Sequence, residues 1–395
     1  MINNMFLIDG PYVSKYLKQT LVDLNIQVVK TKEAITYLKG YHINYIDERE
    51  AVSVLNRKPQ TNVYTNSENT IGWLYSELPQ SELAQTVFSV KDKVLFRDKL
   101  KQLHPQFYYA AHQYIDLSSV DPAGIPFPVI LKPSVGFFSL GVYKVENAEE
   151  WKRTIAELDQ GVERSDGLYP KGVLDNSIFI IEEIIQGDEF AVDCYYDNAG
   201  SAVVLNISQH LFASSEDVND RVYITSGPII EKYLDRIQSY LNKLGEVFQL
   251  STFPAHIELR IDNSGVINAI EINPLRFGGW CSTPDMCQYA WDMNIYEYVV
   301  KQLKPDWPTL IHNKREQVYA LVVLDNSTGH RGSEIKSFNY DAFLERFSDP
   351  LELREADFKK HPLFGFFMCR VHEGQLEELY SILHSDLKEF IVLEN

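Results

Sequence analysis

Residues 255–280 read AHIELRIDNSGVINAIEINPLRFGGW, two runs of alternating apolar and polar residues on either side of Asp262-Asn263-Ser264-Gly265. Alternation of this kind buries one face of an extended strand and wets the other, and the turn residues fold the two strands back on each other. A β-hairpin follows, and with it a constraint on chemistry. Glu258, Arg260 and Asp262 fall on one face of the first strand, and Glu271 and Asn273 on one face of the second. If Asn263-Ser264 is a two-residue turn, Asp262 faces Gly265 and Glu258 faces Ala269, which leaves Glu271 diagonal to Glu258. Both carboxylates and Asn273 then share one face, the diagonal neighbours about 7 Å apart, a gap that one or two Mg²⁺ ions can bridge. A three-residue loop would instead split the carboxylates between faces. Arg276, just beyond, is placed to hold a carboxylate or a transferring phosphate, or else is merely solvated.

Two earlier segments carry further chemistry. Residues 127–145, FPVILKPSVGFFSLGVYKV, put Lys132 at the end of an apolar strand and follow it with a loop bounded by Gly136 and Gly141. A lysine fixed by a strand can reach phosphate oxygens, while loop amides and the hydroxyls of Ser134 and Ser139 cover them; the alternative is a β-hairpin with a solvated lysine. Residues 178–196, IFIIEEIIQGDEFAVDCYY, hold Glu182 and Glu183 inside an apolar run, then Gly187 and Glu189 before the next strand. A charge in so apolar a run needs a partner, and adenine's amine and ribose hydroxyls are suitable donors, which makes Glu182 and Glu189 nucleotide-binding candidates. An edge strand with one wet face is the other reading.

The surrounding chain sets limits. At 395 residues it exceeds what one core usually serves, so two or three domains are expected. The 55 acidic against 37 basic residues give a formal charge of -18, a field that repels phosphate backbones and anionic headgroups, so nucleic acid and membrane are not expected partners. The four cysteines show no zinc spacing and read as reduced structural thiols. No apolar run reaches membrane-spanning length, which points to a cytoplasmic protein. The opening β-α-β pattern predicts an open α/β sheet domain over residues 1–90, without a GxGxxG fingerprint. An α+β domain with antiparallel pairing is expected over 91–310. The pattern then restarts after Pro305 and Pro308, and a separate C-terminal α/β module over 311–395 is expected.

Taken in order, these segments resemble the ATP-grasp superfamily, in particular its D-alanyl-D-alanine ligase and biotin carboxylase members, over about residues 91–301. The resemblance implies an ATP-grasp fold of mixed α/β and α+β content. It implies that Lys93, in VKDKVLFRDKL, and Lys132 bind phosphates under a loop over residues 134–142 that includes Ser134, Gly136, Ser139 and Gly141. Glu182 would take the adenine amine, Glu183 and Ile185 would give backbone contacts, and Glu189 would bind ribose. Glu258, Glu271 and Asn273 would hold Mg²⁺, with Mn²⁺ as a substitute, and Arg276 and Lys132 would act in catalysis. Three departures stand out: Phe137 and Phe138 where relatives often have glycines, His256 where D-alanyl-D-alanine ligase has a substrate-binding arginine, and Pro274-Leu275 displacing Arg276.

The implied reaction is ligation of a small carboxylate to an amine through an acyl phosphate, with release of ADP and phosphate and no Ser/His/Asp or Cys/His arrangement. A kinase-like phosphotransferase and a non-catalytic ATP-binding regulatory protein are the alternatives. A homodimer is compatible with this reading. Phe137 and Phe138 are expected to latch the loop over the phosphates, and Trp280 to close an apolar wall or to be plain core.

Overall fold

A computed structural model of the 395-residue chain describes residues 3–135, 141–165, 175–214 and 219–394. The first region alternates strand and helix: β1 (Asn4–Leu7), α1 (Lys15–Asp23), β2 (Gln27–Val29), α2 (Lys32–Tyr37), β3 (Asn44–Ile46), α3 (Glu48–Arg57), β4 (Asn62–Thr65), α4 (Asn69–Glu77) and α5 (Glu82–Lys91). Its four strands are parallel in the order β3-β2-β1-β4, the open α/β sheet expected of the opening pattern.

Helix α6 (Lys93–Leu100) leads into a small antiparallel sheet of β5 (Tyr109–Gln113), β6 (Val129–Val135), β7 (Tyr143–Val145) and β8 (Asp175–Glu183), in the order β5-β8-β6-β7 and accompanied by α7 (Ala148–Ser165). The chain then builds β9 (Asp188–Tyr196), β10 (Ala202–Leu211), β11 (Val222–Ser226), α8 (Gly227–Phe248), β12 (Phe253–Ile261) and β13 (Ile267–Pro274). After α9 (Ser282–Trp291), α10 (Ile295–Lys301) and α11 (Trp307–Ile311) come β14 (Gln317–Asp325), β15 (Ile335–Phe338), α12 (Tyr340–Leu344), β16 (Pro350–Glu355), β17 (Leu363–His372), α13 (Glu377–Leu383) and β18 (Ile391–Leu393).

Among the described residues, β9 to β14, β16 and β17 form one antiparallel sheet in the order β13-β12-β9-β10-β11-β14-β17-β16. The module expected to stand apart after Pro308 therefore hydrogen-bonds into the same sheet as the carboxylate hairpin, through Val222 to Ser226 paired with Val318 to Val322. Helix α8 covers this sheet because Ile229, Ile230, Tyr233, Ile237, Tyr240, Leu241, Leu244 and Phe248 recur every three to four residues and are buried. Phe96 of α6 stacks on Phe248 at 5.4 Å, which fixes α6 against α8. The N-terminal sheet docks through Tyr64, whose ring meets Phe277 at 5.3 Å and Tyr296 at 5.4 Å.

The hairpin itself departs from the expected register in two places. Asp262 pairs with Val266, so the loop holds three residues, with Gly265 at φ +87° where an L side chain is strained. That loop alone would send Glu271 to the opposite face from Glu258. A bulge at Ile270 shifts the ladder once more, from Leu259 opposite Ala269 to Glu258 opposite Glu271. The two shifts cancel, and the carboxylates face each other directly rather than diagonally.

Candidate functional site

Glu258 and Glu271 sit side by side on β12 and β13, half-buried, with Asn273 buried beside them. The Asn273 amide nitrogen donates to Glu271 Oε1 at 3.0 Å and to Glu258 Oε1 at 3.3 Å, while its oxygen accepts from Arg276 Nη2 at 2.8 Å. Burial, then the charge of Glu271 opposite, pushes the Glu258 carboxyl well above the usual carboxylate range. Glu271 goes the other way: burial opposes its charge, but Lys93, 3.9 Å away, and Lys91 hold it below that range. Two directly opposed carboxylates need a shared proton or a cation between them, and their hard oxygens suit Mg²⁺. Among the described residues no group of three His, Cys, Asp or Glu side chains is arranged for a metal, so the candidate set is two carboxylates and an amide. For Asn273 to join it, the amide has to turn its oxygen away from Arg276.

The phosphate-side residues arrive on α6 and β6. Asp92 caps α6 by accepting from the amides of Val94 and Leu95, both at 2.9 Å, which puts Lys93 at the first helical position. The same Asp92 accepts from Ser134 Oγ at 2.9 Å, tying the helix start to the end of β6. Burial, together with Lys132 and Lys91 nearby and against the pull of Glu271, lowers the Lys93 ammonium to about 8. One helical turn on, Arg97 is buried and donates through Nε to Glu182 at 2.7 Å, and through Nη1 and Nη2 to the carbonyls of Ala269 and Ile270 at 2.8 and 3.3 Å. Lys132 pairs with the other oxygen of Glu182. One guanidinium thus joins the carboxylate hairpin to the lysine strand, although no local pattern marked it except its (i, i+4) spacing from Lys93.

In this arrangement Glu182 has charged partners inside the protein. Its side chain is buried and each carboxylate oxygen already accepts from a cation, which outweighs the effect of burial and holds its pKa at about 2. An internal arginine and lysine thus supply the partner that an apolar strand demands for a carboxylate. Glu183 is half-buried and Ile185 buried at the bend into β9, where the Ile185 carbonyl accepts from Arg260 Nη1 at 2.7 Å. Gly187, at φ +112°, passes so close to Ile261 that a Cβ there would meet its carbonyl oxygen at 2.2 Å. Glu189 is held by His210 Nδ1 at 3.0 Å and Arg260 Nε at 2.9 Å.

Arg276 reaches back to the pair through Asn273 and also donates to Glu68 Oε1, a residue of the N-terminal region. Glu68 pairs with Lys91 as well, and the two cations overcome its burial to hold its pKa at about 2. The Arg276 Nε is buried with no hydrogen-bond partner among the described residues. Glu68 and Lys91 had no signal in the sequence, since each is an ordinary helix-end charge until the fold brings them to Arg276. His256 Nδ1 donates to Asp193 Oδ1 at 2.7 Å, and its Nε2 lies 3.9 Å from Glu258. Gly141 follows β6 at φ +73°, against Pro133. Gly136 and Ser139, with the expected Phe137 and Phe138 latch, lie outside the described residues.

Residues 125–284 match a family described as the ATP-grasp domain. No curated protein matches the chain. Among solved structures, an L-amino acid ligase from Bacillus licheniformis superposes with a TM-score of 0.69 at 16% identity, over 99% of this chain and 98% of that one. N5-carboxyaminoimidazole ribonucleotide synthetase from Thermotoga maritima gives 0.62 at 16% identity, covering 99% of each chain. The biotin carboxylase domain dimer of 2-oxoglutarate carboxylase from Hydrogenobacter thermophilus, in complex with MgADP, ADP and bicarbonate, gives 0.61 at 11% identity over 100% of this chain and 91% of that one.

Proposed function

We infer that this chain, an ATP-grasp protein by its matched domain and its fold, is an ATP-dependent ligase that activates a small carboxylate as an acyl phosphate and transfers the acyl group to an amine. The observation that supports this best is the convergence of Lys93, Arg276 and the opposed Glu258 and Glu271 on one patch, with Lys132 anchored beside it through Glu182 and Arg97. Cations that can hold phosphates stand next to oxygens that can hold Mg²⁺, and in-line phosphoryl transfer to a carboxylate asks for both.

In this reading Mg²⁺ held by Glu258, Glu271 and Asn273 supplies neutralisation of charge on the transferring phosphoryl group. Lys93 and Lys132 orient the phosphates, and the backbone of Glu183 and Ile185 receives adenine where Glu182 is already committed. Arg276, fixed by Glu68 and Asn273 beside the opposed pair, is the cation that receives the carboxylate to be activated. The whole-chain likeness to an L-amino acid ligase supports an amino acid as the carboxylate substrate.

The test is ADP release by the purified chain with ATP and Mg²⁺ against a panel of amino acids and other small carboxylates, with and without a second amine. Carboxylate-dependent ADP release, with an acyl hydroxamate formed when hydroxylamine replaces the amine, is the expected result. ADP release without hydroxamate would mean that phosphate stays on the acceptor, as in a kinase. No carboxylate dependence in any combination would sink the ligase reading.

A further inference from the structure

The segment between Asn273 and α9 is held in an unusual way. Leu275, Trp280 and Cys281 have φ of 60°, 56° and 56°, the left-handed region that L side chains disfavour, so something outside the segment has to impose it. Three parts of the molecule do. The Leu275 carbonyl accepts from the amide of Thr65 at 2.7 Å, in the N-terminal sheet. The Gly278 amide donates to Asp193 at 3.2 Å, on β9. The Trp280 carbonyl accepts from Arg354 Nη1 at 3.1 Å, on β16.

Arg354 is the one of these anchors that comes from the C-terminal strands. It is buried, and it donates to Asp285 Oδ2 at 2.6 Å and to Glu352 Oε1 at 2.7 Å while its guanidinium lies 5.3 Å from the Tyr12 ring. Asp285 in turn accepts from Ser14 Oγ at 3.1 Å, so the same cluster fixes the loop between β1 and α1. Around it the half-buried Trp280 stacks on Tyr12 at 6.5 Å, with Phe366 at 5.4 Å and His361 at 5.0 Å completing an aromatic surface. That surface begins four residues beyond Arg276, which Glu68 and Asn273 hold beside the carboxylate pair.

We propose that Arg354 is a positioning residue that holds Trp280 and Tyr12 as the wall against which an apolar or aromatic substrate side chain packs, so that the C-terminal strands set substrate choice. This rests on the reading of Arg276 as the carboxylate holder. A buried guanidinium with a carbonyl, two carboxylates and an aromatic face around it fixes geometry in a way that a flexible lysine does only in part.

The experiment uses the full chain. With the best substrate from the panel, Arg354→Ala should raise KM for that substrate at least tenfold and leave KM for ATP within twofold, and Arg354→Lys should recover part of the loss. Added to Trp280→Ala, Arg354→Ala should change substrate KM less than twofold further. Glu352→Gln, which removes only an outer partner, gives a milder form of the same pattern if Arg354→Ala fails to fold. Equal damage to both KM values, or fully multiplicative effects with Trp280→Ala, would overturn the assignment. A second readout does not need turnover. Acrylamide quenching of Trp280 fluorescence, taken as the difference from the matched Trp280→Phe chain, should rise in Arg354→Ala. Unchanged quenching overturns the positioning role, whereas raised quenching in a chain without carboxylate-dependent ADP release retains it and sinks the ligase reading alone.

Discussion

Half-buried Glu271 and buried Glu182 are both carboxylates drawn below their ordinary pKa by cations, yet they predict different failures. Glu271 faces Lys93 and Glu258 at the patch where phosphate and metal are proposed to meet, so Glu271→Gln should lower carboxylate-dependent ADP release by about 10²–10³-fold, as loss of one charge-stabilising group does, with an unchanged circular dichroism spectrum. Wild-type turnover would remove it from the site. Glu182 neutralises two internal cations, and Glu182→Gln should cost about 3–5 kcal/mol in denaturant unfolding at pH 7. The sign with pH is fixed by the depressed value. A carboxyl whose folded pKa is about 2 contributes its stability above the ordinary glutamate pKa of 4.5 and loses it as pH falls toward 2. The gap between wild type and variant should therefore narrow on acidification from pH 4.5, and a gap independent of pH would show that the ion pairs are not its source. The sequence showed that Glu182 needed a partner, because charge does not sit unaided in IFIIEE. It could not show which, since Arg97 is 85 residues away and a nucleotide satisfies the same demand.

At the scale of elements, the hairpin was legible as a hairpin and its carboxylates were read onto a common face, but through a register that does not occur. Alternation reports faces only while the ladder is regular, and neither a three-residue loop nor a bulge at Ile270 has an unambiguous signature in DNSGVINAIE. The bulge is not needed for facing: with Ile270 deleted, Glu258 would still stand opposite Glu271. What the bulge adds is two successive carbonyls, of Ala269 and Ile270, turned to one guanidinium, where successive carbonyls of a regular strand point opposite ways. Deleting Ile270 and substituting Arg97→Met should therefore have similar consequences, roughly a tenfold rise in KM for ATP as about 1.4 kcal/mol of positioning is lost, and the two should not add. If the deletion instead matches Glu271→Gln while Arg97→Met is mild, the bulge serves register after all. Lys93 was reached only through the family resemblance, and Arg97 passed as one more charge in LFRDKL, because nothing local says that this turn of helix is buried.

Over the whole molecule, the division at residue 310 that prolines suggested is crossed by the sheet, with β14 paired to β11 along five residues. A chain ending at residue 310 should lose β14, β16 and β17 together with Arg354, exposing β11, and should show no cooperative thermal transition; a sharp transition near that of the full chain would restore the separate module. Parallel strands of the N-terminal sheet were easier to foresee, since each is followed by its own amphipathic helix. The eight-stranded sheet has two ends, and each presents backbone that another molecule could extend. At one end, β13 spends the Ala269 amide on the Tyr240 hydroxyl and two carbonyls on Arg97. At the other, β16 begins with Pro350, which has no amide hydrogen to give, and carries Glu352, Arg354 and Glu355. Residues that order the site on the inside thus also deny strangers a template, and a concentrated solution of this protein should resist the strand-by-strand accretion to which a bare sheet margin is prone.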